Sequence, residues 1–132
     1  MLIDVSQTSQ TPYLPLLADI AHTDALVHRA QHWLQRNMSR PIRIAELAGE
    51  LAVSERTLIR RFNAVLDQSP LTYLQHLRIE SARALLEASD LGVDQIALQV
   101  GYNDGSSFSR LFRARMGLSP GAYRSRYQSK WC

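Results

Sequence analysis

The sequence predicts an all-α fold: two copies of one helix, tight turn, helix unit, joined by a single long helix, with about seven helices in all. Three observations predict it. The first is a repeat. Leu47-Ala48-x-x-Leu51-Ala52-Val53-Ser54-x-x-x-Leu58-x-Arg60-x-Phe62, then Ser69-Pro70-x-x-Tyr73, is written again as Ile96-Ala97-x-x-Val100-Gly101-Tyr102-Asn103-Asp104-x-x-x-Phe108-x-Arg110-x-Phe112, then Ser119-Pro120-x-x-Tyr123. The offset is 49 residues up to the turn and 50 after it, so the later turn is one residue longer. A repeat that keeps both apolar and polar positions means two copies of one supersecondary unit. The second observation is periodicity: apolar positions 44, 47, 48, 51 and 58, 62, 65 step by three and four, as one buried helical face does. The third is the stretch between the copies, about Leu71 to Ser89, which spans roughly 28 Å as one helix at 1.5 Å per residue.

Taken in order, residues 1–23 are polar, with a Ser/Gln/Thr cluster and Pro12 and Pro15 discouraging a helix, and read as a linker. Asp24 caps a first helix to about Met38, with Leu26, Val27, Ala30, Trp33 and Leu34 as its apolar stripe. His28 and His32 stand at a spacing two metal ligands use, but no Cys or carboxylate nearby in sequence completes a site, so surface histidines are the simpler reading and no metal is expected. Arg40-Pro41 breaks the helix, and the first repeated unit follows within residues 24–70.

At the turn of each unit stand Ala52 and Gly101, where the chain must reverse sharply. Glycine takes the left-handed conformation that stops a helix, and alanine does so at some cost. Val53 and Tyr102 follow as apolar plugs, and Ser54 and Asp104 fall where an N-cap belongs. Counted from those caps, both second helices bury their fourth and eighth residues, Leu58 with Phe62 and Phe108 with Phe112. The remaining face carries Glu55, Arg56, Thr57, Ile59 and Arg60 in one copy, and Gly105, Ser106, Ser107, Ser109 and Arg110 in the other. A short helix presenting Arg and small polar side chains beyond a turn is what a DNA major groove admits and reads.

Ser69 caps the long helix, with Pro70 at its first position. Its apolar set, Leu71, Tyr73 or Leu74, Leu77, Ala82, Leu85 and Leu86, shifts face along its length, which suits a rod packed in one subdomain at its start and in the other at its end. Arg78 and Arg83 are open to two readings, phosphate contacts or surface ion pairs with Glu80 and Glu87, of which the second is favoured. Asp90-Leu91-Gly92 ends the rod at residue 89, and the second unit occupies residues 90–127. Its closing helix, Ser119 to about Tyr127, is expected to pack by Ala122, Tyr123 and Tyr127 and to turn Arg124, Arg126 and Lys130 outward. Residues 128–132 form a tail.

These residues resemble the DNA-binding domain of the AraC/XylS family of bacterial transcription regulators, over about Ser39 to Tyr127. The later copy carries the signature: Ile96-Ala97, Val100-Gly101-Tyr102, Asp104, Ser107-Phe108, Arg110, Phe112, Gly117-Leu118-Ser119-Pro120 and Tyr123-Arg124. The resemblance implies two helix-turn-helix subdomains, homeodomain-like three-helix units, each offering one recognition helix to successive major-groove segments of a double-stranded operator. It further implies transcription regulation, in the sense of activation, with RNA polymerase as an additional partner. Where the family often has a capping Ser or Thr before Ile44, this chain has Arg43, which leaves that cap unfilled and joins the DNA-facing candidates. Gln10-Thr11-Pro12-Tyr13 and Leu26-Val27-x-Arg29-Ala30-Gln31-x-Trp33-Leu34 narrow the resemblance to the GlxA-like subgroup, in which a DJ-1/PfpI domain precedes this module. That domain is not in this chain, which therefore reads as the C-terminal piece of a larger regulator.

Composition agrees without deciding. A chain of 132 residues is one domain or two very small ones. No run approaches the roughly 18 apolar residues of a membrane span, and no export signal is expected. The lone Cys132 precludes an intramolecular disulfide and fits a reducing cytoplasm. Net charge is only +3, but residues 1–52 hold four basic and five acidic groups, and residues 53–132 eleven and seven. Fourteen of the fifteen basic residues are Arg, the side chain suited to bidentate phosphate and guanine contacts, although a solvated Arg-rich surface would show the same composition. No Gly-rich phosphate loop, Cys–His pair or clustered carboxylate pair supports an enzyme, and no cofactor is expected. With two groove-reading units in one chain and no sustained heptads, this chain is expected to bind as a monomer.

Overall fold

The computed structural model describes residues 24–128; the readings placed on residues 1–23 and 129–132, including Lys130 and Cys132, lie outside the described residues. Among the described residues there are seven helices: α1 (Ala25–Asn37), α2 (Ile44–Glu50), α3 (Glu55–Leu66), α4 (Pro70–Ala88), α5 (Val93–Gln99), α6 (Gly105–Met116) and α7 (Pro120–Tyr127). Side-chain caps start five of them. Asp24, Ser54, Ser69, Asp104 and Ser119 each accept a hydrogen bond from the backbone N–H three residues on, at 2.7–3.1 Å. The expected gap at Arg43 is real, since α2 starts with no side-chain cap.

Burial divides into two cores. Leu34, Leu47, Leu58, Phe62 and Leu74 centre the first, and Ala82, Leu86, Ile96, Phe108 and Phe112 the second. Helix packing follows the same division, with α1, α2 and α3 on one side and α5, α6 and α7 on the other, and α4 common to both. The duplication reaches further than the turn motif. Val27, Ala30 and Leu34 of α1 match Ile79, Ala82 and Leu86 of α4 at a constant offset, and all six are buried. Phe62 meets Tyr73 edge-on at 5.5 Å, and Phe112 meets Tyr123 edge-on at 5.5 Å. The Tyr73 hydroxyl accepts from Gln35, and the Tyr123 hydroxyl donates to Glu87, which stands where Gln35 does in the other copy. One copy thus closes with the first half of α4, and the next opens with its second half.

Several faces differ from the sequence expectation. Leu71 is 51% exposed, and the buried stripe of α4 is instead Leu74, Arg78, Ile79, Ala82 and Leu86. Arg78 is neither a phosphate contact nor a surface ion pair: it is 7% exposed, and it donates to the carbonyls of Met38 (2.9 Å) and Arg40 (2.7 Å). Arg83 does pair with Glu80 and Glu87. In α7, Ala122 is exposed and Tyr127 is 50% exposed, stacked on Tyr123 at 4.6 Å, so Tyr123 alone of that trio is buried. Arg124 does not face out. It donates to the carbonyls of Leu86 and Ser89, where the end of α4 leaves acceptors unpaired, and Gln128 adds a bond to Ser89.

Candidate nucleic-acid interface

Both turns close in the same way. Val53 N–H donates to Ala48 O at 3.0 Å and Ala52 N–H to Gly49 O at 3.1 Å; Tyr102 N–H donates to Ala97 O at 2.9 Å and Gly101 N–H to Leu98 O at 3.2 Å. This pair of bonds needs a left-handed residue just past the helix. Ala52 supplies it at φ 58° and Gly101 at φ 100°. At the far ends of α3 and α6 the same substitution recurs, with Asp67 at φ 56° and Gly117 at φ 81°. In both places the first copy takes the left-handed conformation without glycine.

Beyond the turns, α3 and α6 are anchored from beneath by Leu58 and Phe62, and by Phe108 and Phe112, all fully buried. On the outward face of α3, Glu55, Arg56 and Arg60 are exposed, Thr57 is half-buried and Ile59 is 38% exposed. With Arg56 and Arg60 at i,i+4, two guanidinium groups share one helical face. Neither makes an ion pair with the described residues, so both can reach toward a partner. Arg61, the next residue, is different: its guanidinium binds Asp24 at 2.9 Å and ties α3 to the start of α1. On α6, Ser106 and Arg110 are exposed, while Gly105, Ser107 and Ser109 are half-buried. Arg43 is exposed at the start of α2, away from both of these helix faces in sequence.

Two of the sequence-derived candidates have a structural task as well. The Ser54 hydroxyl donates to the Thr57 hydroxyl at 3.0 Å, and the Ser107 hydroxyl donates to Asp104 at 3.3 Å, so both are part of their own cap. Gly105 lies against Asp94: a Cβ there would stand 2.0 Å from that carboxylate. The Asp104 carboxyl is held below the usual carboxylate range, chiefly by the Ser107 backbone N–H it accepts, with Ser106 N–H and Arg110 adding to the effect. Sequence reasoning missed the inward turn of Arg78 and Arg124. Position 78 falls four residues after Leu74 and four before Ala82, on the buried stripe, and that spacing was the available signal.

Elsewhere, His28 and His32 line an open groove of about 350 Å³ with Arg29, Trp33, Arg36, Glu50 and Leu51. Among the described residues no group of three or more His, Cys, Asp or Glu is placed to hold a metal, and no helix is long and apolar enough to cross a membrane.

Comparison with known proteins agrees with this geometry. Residues 47–126 match the family described as helix-turn-helix domain. A putative AraC-like transcription regulator of Streptomyces lividans is 40% identical over 101 residues, 76% of this chain and 33% of that protein. The HTH-type transcriptional activator RhaS of Escherichia fergusonii is 36% identical over 105 residues, 80% of this chain and 38% of that protein. This chain thus spans about a third of the length of these curated relatives. Among solved structures, the C-terminal domain of AraT, a response regulator from Geobacillus stearothermophilus, superposes with a TM-score of 0.80 at 32% identity, covering 83% of this chain and 92% of that one. The DNA-binding domain of AdpA, a global transcriptional factor in complex with a target DNA, superposes with a TM-score of 0.73 at 32% identity, covering 76% of this chain and 91% of that one. With two capped helix-turn-helix units repeated along one chain, and a family match that spans both, this protein belongs to the AraC-type helix-turn-helix family.

Proposed function

We propose that the chain binds double-stranded DNA sequence-specifically, with α3 and α6 in successive major-groove segments on one face of the duplex. The observation that carries this reading is the pair of equivalent, side-chain-capped helices, presenting Arg56, Arg60 and Arg110, attached to opposite ends of one continuous helix. Helix α4 has 19 residues, roughly 28 Å at 1.5 Å per residue, of the order of the 34–36 Å between successive groove segments. The difference is of a size that bending the DNA can absorb, at a cost of a few kcal/mol. Contacts are assigned to Glu55, Arg56, Thr57, Ile59 and Arg60 on one helix and to Gly105, Ser106, Ser107, Ser109 and Arg110 on the other, with Arg43 on phosphate. Ile59 suits a thymine methyl, and the arginines suit guanine or phosphate. The AdpA domain, seen with its target DNA, supports the reading by likeness.

The wider role follows as part of the same proposal. The chain acts as the DNA-binding portion of a longer, cytoplasmic transcription regulator of the GlxA-like kind, with a DJ-1/PfpI domain ahead of it. The regulator activates, as RhaS is named to do, and RNA polymerase is then its further partner. Gel-shift titration on a randomised duplex pool tests the DNA reading. Selected duplexes should bind, with affinity falling roughly a thousandfold or more between 50 and 200 mM salt if six or more phosphates are contacted. Binding that is absent, or indifferent to both salt and sequence, would overturn it.

A further inference from the structure

Arg78 stands where the two units meet. It projects from the middle of α4, donates to the Met38 carbonyl at 2.9 Å and the Arg40 carbonyl at 2.7 Å, and places its guanidinium 5.1 Å from the centre of the Tyr102 ring. Met38 and Arg40 belong to the α1–α2 connection of the first unit, and Tyr102 to the turn of the second. No carboxylate among the described residues pairs with this buried cation. Its charge is met by carbonyls just beyond the C-terminal end of α1, where the helix dipole is negative, and by an aromatic face. Burial lowers the Arg78 guanidinium and raises the Tyr102 phenol from their ordinary values.

Backbone meets backbone at the same point. A Cβ on Gly101 would stand 2.4 Å from Met38 O and 2.7 Å from Arg78 Nη2, so the second turn packs directly on the first unit. A more exposed tie, Arg115 to Gln75 at 2.6 Å, joins α6 to the first half of α4. The shared helix alone would leave the turn of the second unit unattached to the α1–α2 connection; the Arg78 junction attaches it.

We propose that Arg78, gripping the α1–α2 connection and the Gly101–Tyr102 turn together, is a positioning residue that fixes the orientation of the two recognition helices and so the spacing between DNA half-sites that one chain accepts. The proposal rests on the DNA reading above for its second half only. Inserting one base pair between half-sites moves one of them by about 3.4 Å and rotates it by about 34°. A rigid junction rejects such a change, and a loosened one tolerates it.

The test uses the full chain in two measurements. In the first, nitroxides are placed at the equivalent exposed positions Asn63 and Arg113, as Asn63→Cys and Arg113→Cys on a Cys132→Ser background, and the distance distribution is measured without DNA. The wild-type junction should give one narrow distribution. Arg78→Met should broaden it while near-native helicity remains, and Arg78→Lys, which reaches one carbonyl rather than both, should fall between. In the second, binding is measured on duplexes with half-sites separated by one base pair more or fewer. The wild-type chain should lose about tenfold or more at the wrong spacing, and Arg78→Met less than about threefold, with base preference inside each half-site unchanged. If Arg78→Met does not fold, Arg78→Lys and Tyr102→Leu, which removes the aromatic face under the guanidinium while keeping an apolar side chain against Phe108, are judged by the same two readouts. Unchanged distance distributions in the folded variants would overturn the junction. An unchanged spacing profile alongside broadened distances would overturn its link to specificity. If the wild-type chain binds no DNA, the groove reading and the half-site claim fall together, while the spin-label measurement still decides whether Arg78 sets the orientation of the units.

Discussion

At the scale of single residues, the two copies solve one problem with different side chains. The turn after α2 needs φ near +60°, which Ala52 adopts at φ 58° against the steric preference of an L-residue, while Gly101 adopts φ 100° freely. Ala52→Gly is therefore expected to raise stability by about 0.5–1 kcal/mol, read from a denaturant midpoint shifted upward at unchanged slope. An unchanged or lower midpoint would show that the strain relieved at Ala52 does not exceed the entropy that glycine adds to the unfolded chain. Gly101→Val should act in the opposite direction, since it adds backbone strain of about 1–3 kcal/mol and a clash with the Met38 carbonyl, 2.4 Å from the Cβ position. The expected result is lost operator binding with most helical content retained, and wild-type affinity in that variant would refute it. Both turn residues were legible in the sequence because a repeat aligns them. Arg78 was overlooked despite its place on the buried stripe, because charge argues for the surface and its partners are main-chain carbonyls, which have no sequence signature.

At the scale of helices, what periodicity reveals and what it conceals are both plain. The caps and the buried pairs Leu58–Phe62 and Phe108–Phe112 stand where spacing put them. Helix α4 was harder: a stripe of i,i+3 and i,i+4 positions fits more than one rotation, and only packing in two cores shows that Leu71 stays out and Ile79 goes in. In α7, two tyrosines four apart read as one buried face, yet the second is half-exposed and stacked on the first. The Asp104 cap carries a pH dependence. Its carboxyl is held below the ordinary range in the fold, so its stabilisation of α6 is present above the unfolded carboxylate value near 4 and is lost as pH falls through the lower folded value. Asp104→Asn, which still caps but does not titrate, should close its stability gap to the wild type as pH drops from about 5 to 3; a gap constant over that window would refute the coupling. The recognition helices should also read unequally. Arg56 and Arg60 offer two long donors where the second face offers Arg110 alone beside serines, and an Arg–guanine pair discriminates by about 1–3 kcal/mol. On a randomised operator library, Arg56→Ala or Arg60→Ala should relax one half of the site more than Ser106→Ala relaxes the other, and equal relaxation would contradict this.

At the scale of the whole molecule, one helix belongs to two units. The first half of α4 closes one core and the second half opens the next, so neither unit can rotate freely about a linker. The sequence showed the repeat of the turn motif but not that the duplication extends back through α1, because between residues 25–37 and 77–89 only Ala30/Ala82 and Leu34/Leu86 are identical, and the offset there differs from that of the turn motif. With α3 and α6 both reading grooves, as proposed, one chain would span two groove segments without a second, unlike single-motif binders that pair as dimers. That is the central claim, and stoichiometry tests it most directly. The mass of the complex between this chain and a selected duplex of about 20 base pairs, long enough for two groove segments at ~10.5 base pairs per turn, should correspond to one chain per duplex. Affinity should fall sharply when either Arg60 or Arg110 is replaced by alanine. Two chains on each site, or a complex indifferent to Arg110→Ala, would contradict the account and leave the second unit a scaffold rather than a reader.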